Sequence, residues 1–148
     1  MSTSGFLLDT NVVSEALRPR PDARVLAWLR ANEARAWLSV VTIGEIEAGI
    51  RGAPDPRRAQ GLREWLDEVL IPQFTHRLLP LDLAVARCWG ERTAAARSNG
   101  TPVGAVDALI AATAAQHGLA VATRNGRDFE HLAVEVVDPW TVAGLAAR

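Results

Sequence analysis

The chain has 148 residues, with 16 basic and 17 acidic side chains, a formal net charge of −1 and 49% hydrophobic content. That balance suits one globular domain, 1–148, large enough to bury roughly two thirds of its unfolded surface around a single core. Every basic residue is arginine; without lysine or a glycine-rich GK[ST] string a P-loop nucleotide binder is excluded, and a phospho-receiver domain, which needs a lysine beside its phosphoacceptor, is disfavoured.

The first predicted element is a short buried strand, 6–8, closed by Asp9 and followed at once by a helix over 11–17. A second helix over 23–31 starts behind Asp22, a good N-cap, and leads to a strand over 36–40. Helices over 42–51 and 56–70 follow, separated by the turn Gly52-Ala53-Pro54-Asp55-Pro56. A strand at 77–80 precedes a helix over 83–98, with Asp82 as N-cap and Gly100 as a stop. The helix over 103–117 ends at His117-Gly118, and strands over 119–122 and 134–137 complete the pattern. Strands interleaved with helices imply an α/β domain whose mostly parallel central sheet is flanked by helices on both faces.

Four acids stand where such a sheet presents its carboxyl edge, the place where open α/β folds bind ligands. Asp9 ends the first strand, where it can cap the helix after it or hold a ligand. Glu45 lies in Thr42-Ile43-Gly44-Glu45, which reads as a capping box but is also where an edge cluster would draw a second acid. Asp107 opens a helix that is apolar nearly all round through Ala108-Leu109-Ile110-Ala111-Ala112. An unpaired carboxylate there would cost several kcal/mol or shift its pKa, no arginine lies within a turn of it, and a shared cation is the economical partner; the competing reading is a first-turn acid favoured by the helix dipole. Asp128, in Asn125-Gly126-Arg127-Asp128, fits a turn and cap as well as a ligand. Together the four suggest a carboxylate cluster that binds metal. If they hold a cation, the rest of the molecule is net positive, so the overall charge does not exclude RNA.

Leu7-Leu8-Asp9-Thr10-Asn11, Ser39-Val40-Val41-Thr42-Ile43-Gly44-Glu45 with Ala48-Gly49, Asp107-Ala108-Leu109-Ile110-Ala111-Ala112-Thr113-Ala114, Ala122-Thr123-Arg124-Asn125 and the closing Val137-Asp138-Pro139-Trp140 occur in the order and approximate spacing of the PIN-domain ribonucleases. Within that family the chain resembles the VapC-type toxins of toxin-antitoxin pairs over nearly its whole length. The resemblance implies a single PIN-like domain and a Mg²⁺- or Mn²⁺-dependent endoribonuclease that leaves a 5′-phosphate and a 3′-hydroxyl. Asp9, Glu45, Asp107 and Asp128 would be its catalytic and metal-holding residues, with Thr10, Asn11, Thr123 and Asn125 fixing ligands or a phosphate oxygen. It also implies a homodimer and a cognate antitoxin protein. One departure stands out: many relatives carry a fourth acid just after Thr123-Arg124, where this chain has Asn125. A neutral amide cannot neutralise a cation, and Asp128 is the nearest acid able to take that role.

A PIN-fold binding module with impaired catalysis, or an RNA-processing nuclease without an antitoxin, would use the same sequence features. Arg18, Arg20, Arg51, Arg124 and Arg127 are candidate phosphate contacts near predicted loops. Trp28, Trp37, Trp65, Trp89 and Trp140 read as core or interface, and the single cysteine, Cys88, as a small buried hydrophobe that forms neither a disulfide nor a zinc site. His76, His117 and His131 have no paired spacing. The helices over 23–31 and 56–70 carry more apolar face than a small sheet covers, which predicts an interface. No apolar stretch reaches the roughly 18 residues of a membrane span, and Met1–Gly5 lacks the look of a secretory signal, so the expected location is the cytoplasm, without membrane contact.

Overall fold

The structure is a computed structural model and describes residues 4–141; the sequence reading of the first five residues falls partly outside that range. In chain order, β1 (Phe6–Leu8) leads to α1 (Thr10–Val13) and a 3-10 turn, then α2 (Ala23–Ala31), β2 (Ala36–Ser39) and α3 (Val40–Gly52). Next come α4 (Pro56–Trp65), a π-helical stretch Leu66–Leu70, α5 (Ile71–Phe74), β3 (Leu78–Leu79) and α6 (Leu83–Ser98). The chain closes with α7 (Ala105–Gln116), β4 (Ala120–Ala122) and β5 (Val136–Val137). The five strands lie in the order β3-β2-β1-β4-β5, and every pairing is parallel. The expected mostly parallel sheet is therefore parallel throughout among the described residues.

Alternation along the strands divides the core in two, because successive side chains of a strand point to opposite faces. Leu8, Leu38 and Ala122 face one cluster with Val12, Val25, Trp28 and Leu66. Leu7, Val121 and Leu79 face the other, against Ala108, Ile110, Ala111 and Ala114 of α7. Strands with one buried set on each face read as continuous apolar runs, which is how Phe6-Leu7-Leu8 and Leu119-Ala120-Val121-Ala122 stand in the sequence. Among the described residues no helix is long and apolar enough to cross a membrane.

The helix ends correct several expectations. Asp22 and Asp82 cap α2 and α6, accepting from Arg24 N and Val85 N, and Gly100 and Gly118 take positive φ values of 70° and 66° just past two helix ends, the conformation glycine adopts at lowest cost. The capping box does not form. Ser39 caps α3 by accepting from Val41 N, so the helix begins two residues before Thr42, and Glu45 lies inside it with its carboxylate free of capping work. Ser39 wins because it is the last strand residue, already extended at ψ 148°, while Thr42 is helical and buried. The helix expected over 56–70 continues to Phe74 through the π stretch, which ends two residues before Pro72, whose ring supplies no N–H and crowds the preceding turn. The helix expected from 103 starts at Ala105 behind Gly104. Strands β3 and β5 have two residues each, shorter than 77–80 and 134–137, and Cys88 is only half-buried.

Gly5 sits where the chain enters β1, and a Cβ there would be driven into the backbone carbonyl oxygen of Arg35 and the Leu119 side chain. The tighter of the two approaches is to backbone, which cannot turn aside as a side chain can. Gly5→Ala is expected to destabilise the fold by about 1–3 kcal/mol, read as a lower urea midpoint with an unchanged m-value; an unaltered midpoint would contradict this packing.

Candidate metal and active centre

Asp9 and Thr123 follow adjacent strands whose last residues, Leu8 and Ala122, are in register, and this brings their side chains together. Thr123 Oγ1 donates to Asp9 Oδ2 at 2.8 Å, and Asn11 Nδ2 donates to the same oxygen at 3.3 Å. Thr10 N donates to Asp9 Oδ1 at 2.9 Å, so Asp9 caps α1 while it belongs to the edge network. The capping reading of Asp9 therefore holds, and the same carboxylate is tied into the edge network. Asn125 N in turn donates to Thr123 Oγ1 at 3.0 Å, and Asn11 Oδ1 accepts from Arg124 N at 3.2 Å. Asp9 is 8% exposed and Thr123 fully buried, so these donors fix a carboxylate that solvent barely reaches.

Glu45 approaches from α3. Its carboxylate is exposed, and its Oε1 accepts from Thr10 Oγ1 at 2.6 Å, which links α3 to the start of α1. Asp107 comes from the first turn of α7, a position where the helix dipole favours negative charge. Its pKa is nonetheless raised, to about 6, first by burial and then by the charges of Asp128, Asp9 and Glu45. Loss of water and like charge outweigh the dipole here. Gly104 makes room for this group: a Cβ on it would stand 3.1 Å from Asp107 Oδ2.

Asp128 lies in a 3-10 turn, Gly126–Phe129, held down by Phe129, which is buried in the α7-side core. The Asp128 carboxylate is exposed and is the charge named first among those acting on Asp107. Asn125 is exposed, and its side-chain amide makes no hydrogen bond among the described residues. The other three acids therefore all act on the Asp107 carboxyl group. As placed, they share a field without closing into a shell: among the described residues no three acids, histidines or cysteines stand close enough to hold a metal ion directly.

The donor set is oxygen only, which fits a hard cation. Mg²⁺ keeps several of its waters and takes one or two carboxylates directly, so acids spaced more widely than a closed shell suit it. Among the described residues no arginine or histidine pairs with the four acids: of the candidate phosphate contacts, Arg18 pairs with Glu15 at 3.9 Å, Arg51 with Glu47 at 3.1 Å, and the Arg124 guanidinium stacks on Trp140 at 5.0 Å. Arg20 and Arg127 remain free of ion pairs among the described residues. Sequence reasoning passed over Gly104 and over Glu15, which is buried and accepts from Asp22 N at 2.8 Å. Nothing in the local sequence of Glu15 marks it, because its partner is a backbone amide seven residues away.

Comparison with known proteins matches the PIN domain model over residues 6–135. The toxin FitB of Neisseria gonorrhoeae is 40% identical over 136 residues, 91% of this chain and 98% of that protein. The VapC ribonuclease Y4jK of Sinorhizobium fredii is 36% identical over 139 residues, covering 93% and 99%. Among solved structures, that of FitAcB from Neisseria gonorrhoeae superposes with a TM-score of 0.87 at 39% identity, covering 93% of this chain and 99% of that one.

The raised pKa of Asp107 has a consequence for stability. Between its ordinary value of 3.8 and about 6, the folded protein holds a proton at Asp107 that the unfolded chain has released, so stability falls as pH rises through that window. Asp107→Asn lacks this slope. In metal-free buffer at pH 7 it is expected to be more stable than the parent by about 1 kcal/mol, allowing for partial solvent screening, with the difference vanishing near pH 4; equal stability at both pH values would show that Asp107 carries no strain.

Proposed function

The chain belongs to the PIN-domain family, and on that premise we propose that it is a metal-dependent endoribonuclease acting as the toxin of a toxin-antitoxin pair. Relatives named as a toxin and as a VapC ribonuclease align with it almost end to end. The observation that carries the reading is the convergence of Asp9, Glu45 and Asp128 on the partly buried Asp107, at an edge where no basic side chain among the described residues pairs with them.

Asp9, Glu45, Asp107 and Asp128 would hold Mg²⁺ or Mn²⁺, which supplies neutralisation of charge developing on the phosphate and acidifies water. Asp9 is held rigid for that task by Thr10, Asn11 and Thr123. Glu45 has one oxygen occupied by the Thr10 hydroxyl, which leaves Oε2 to accept a proton from the attacking water. The water oxygen bonds to phosphorus as the P–O3′ bond breaks; O3′ takes a proton, giving a 3′-hydroxyl and a 5′-phosphate. Burial first, and then the charges of Asp128, Asp9 and Glu45, raise the pKa of Asp107, and a bound cation would offset both. Asp128 takes the fourth place, because Asn125 has no charge to contribute.

An enzyme that hydrolyses the RNA of its own cell needs a partner that silences it. One apolar groove, of about 360 Å³, runs from Thr10 and Glu45 to Arg58, and a second, of about 310 Å³, lies between Leu8, Leu29 and Phe74. Trp65 lines both. An antitoxin segment laid across Trp65 would deliver a basic side chain to the acids and block the cation. Val40, Leu81, Leu83 and Val106 are exposed apolar residues at or beside the starts of α3, α6 and α7, and they form the surface we assign to a homodimer. RNA as substrate places the protein in the cytoplasm.

Asp9→Asn is expected to reduce divalent-dependent cleavage of RNA by the purified protein at least about a hundredfold with its circular dichroism unchanged, and Asp128→Ala is expected to weaken Mn²⁺ affinity more than Asn125→Ala does. Full activity in Asp9→Asn would refute the site. The reverse order of metal affinities would move the fourth role to Asn125, and RNA binding without cleavage by the parent protein would favour a binding module.

A further inference from the structure

Away from the acids, α6 and the first half of α7 enclose a cavity of about 190 Å³, closed at one end by the loop 99–104. Trp89, Thr93 and Arg97 line it from α6 at successive i, i+4 positions, so they form one stripe along that helix. Thr101, Pro102 and Val103 from the loop and Ala105 and Ala108 from α7 complete the wall. Trp89 Nε1 and Thr93 Oγ1 are buried with no hydrogen-bond partner, and Arg97 makes no ion pair among the described residues. Buried donors left unmade are costly and rare, and two of them on one stripe of one cavity call for a ligand.

The chemistry of that ligand follows from the wall. The indole N–H can only donate, a threonine hydroxyl donates readily, and guanidinium donates with a full positive charge. Among the described residues no carboxylate lines the cavity, and α7 presents its N-terminal residue Ala105 to it, so the helix dipole adds positive potential. Such a set recognises an anion rich in acceptors.

We propose that this cavity is a phosphate subsite, taking a backbone phosphate of the RNA strand away from the bond that is cut. The assignment rests on the ribonuclease reading for its ligand, but the donor set exists independently of cleavage. Bound phosphate accepts from Trp89 Nε1 and Thr93 Oγ1 and is neutralised by Arg97, which fixes the register of the strand relative to Asp107.

The test follows the indole ¹⁵N–¹H resonance of Trp89, identified by its loss in Trp89→Phe, during separate titrations with inorganic phosphate and with a short single-stranded RNA in EDTA. The RNA is expected to shift it. Thr93→Val and Arg97→Gln are expected to weaken RNA binding about tenfold each, with Arg97→Gln lowering the salt slope of binding by about one, and to raise KM for RNA cleavage while leaving kcat unchanged. A shift with inorganic phosphate alone would overturn the assignment to the RNA backbone. No shift with either probe, together with unchanged RNA affinity in Thr93→Val, would mean that water satisfies these donors and would overturn the subsite. If the RNA shifts Trp89 while the parent protein cleaves nothing, the ribonuclease reading fails and the phosphate site stands.

Discussion

Repulsion among carboxylates at the carboxyl edge of the sheet is the constraint around which the rest of this molecule is arranged. Asp107 is pushed to about 6 by burial and by three acids, in a helix turn whose dipole alone would favour its charge. A fold gains nothing in stability from such a grouping. It persists because the scaffold beneath is rigid: Leu7 and Leu8, pointing to opposite faces, lock β1 into both halves of the core, and Asp9 follows them with no freedom to swing away. The hydrogen bond from buried Thr123 then ties the edge of β1 to that of β4.

Each of the other acids reaches the edge by a different route, and each route is set by packing. Glu45 is carried by α3, whose start is fixed by the Ser39 cap and whose Ile46 and Ile50 are buried. Asp128 is carried by a turn that Phe129 anchors. Asp107 rides on α7, whose Ala108, Ile110, Ala111, Ala112, Thr113 and Ala114 are all buried; small residues let that helix lie close to the sheet, and this closeness is what strips water from its first turn. The strain at Asp107 is thus a consequence of good packing one turn further on.

Much of this was legible in the sequence because it is local. A strand closed by an acid, an apolar helix opened by one, and the order of the five segments identify the parallel sheet and its loaded edge. What was not legible depended on contacts distant in sequence or on competition between neighbours. Ser39 and Thr42 are both plausible caps, and only the extended backbone at the end of β2 decides between them. Strands β3 and β5 are two residues long because they pair on one side only, which no apolar run reveals. The stripe of Trp89, Thr93 and Arg97 is visible in the sequence as a helical spacing, but the buried, unpartnered state of its donors appears only once α7 is packed against it.

The central claim is that Asp107 is a strained carboxyl group whose strain a divalent cation relieves. Its side-chain carboxyl ¹³C shift, followed against pH with and without Mg²⁺, measures that directly. The account predicts a midpoint of about 6 in metal-free buffer and a fall to the ordinary aspartate range, about 4 or below, when Mg²⁺ is added. A midpoint near 4 in both conditions would contradict it.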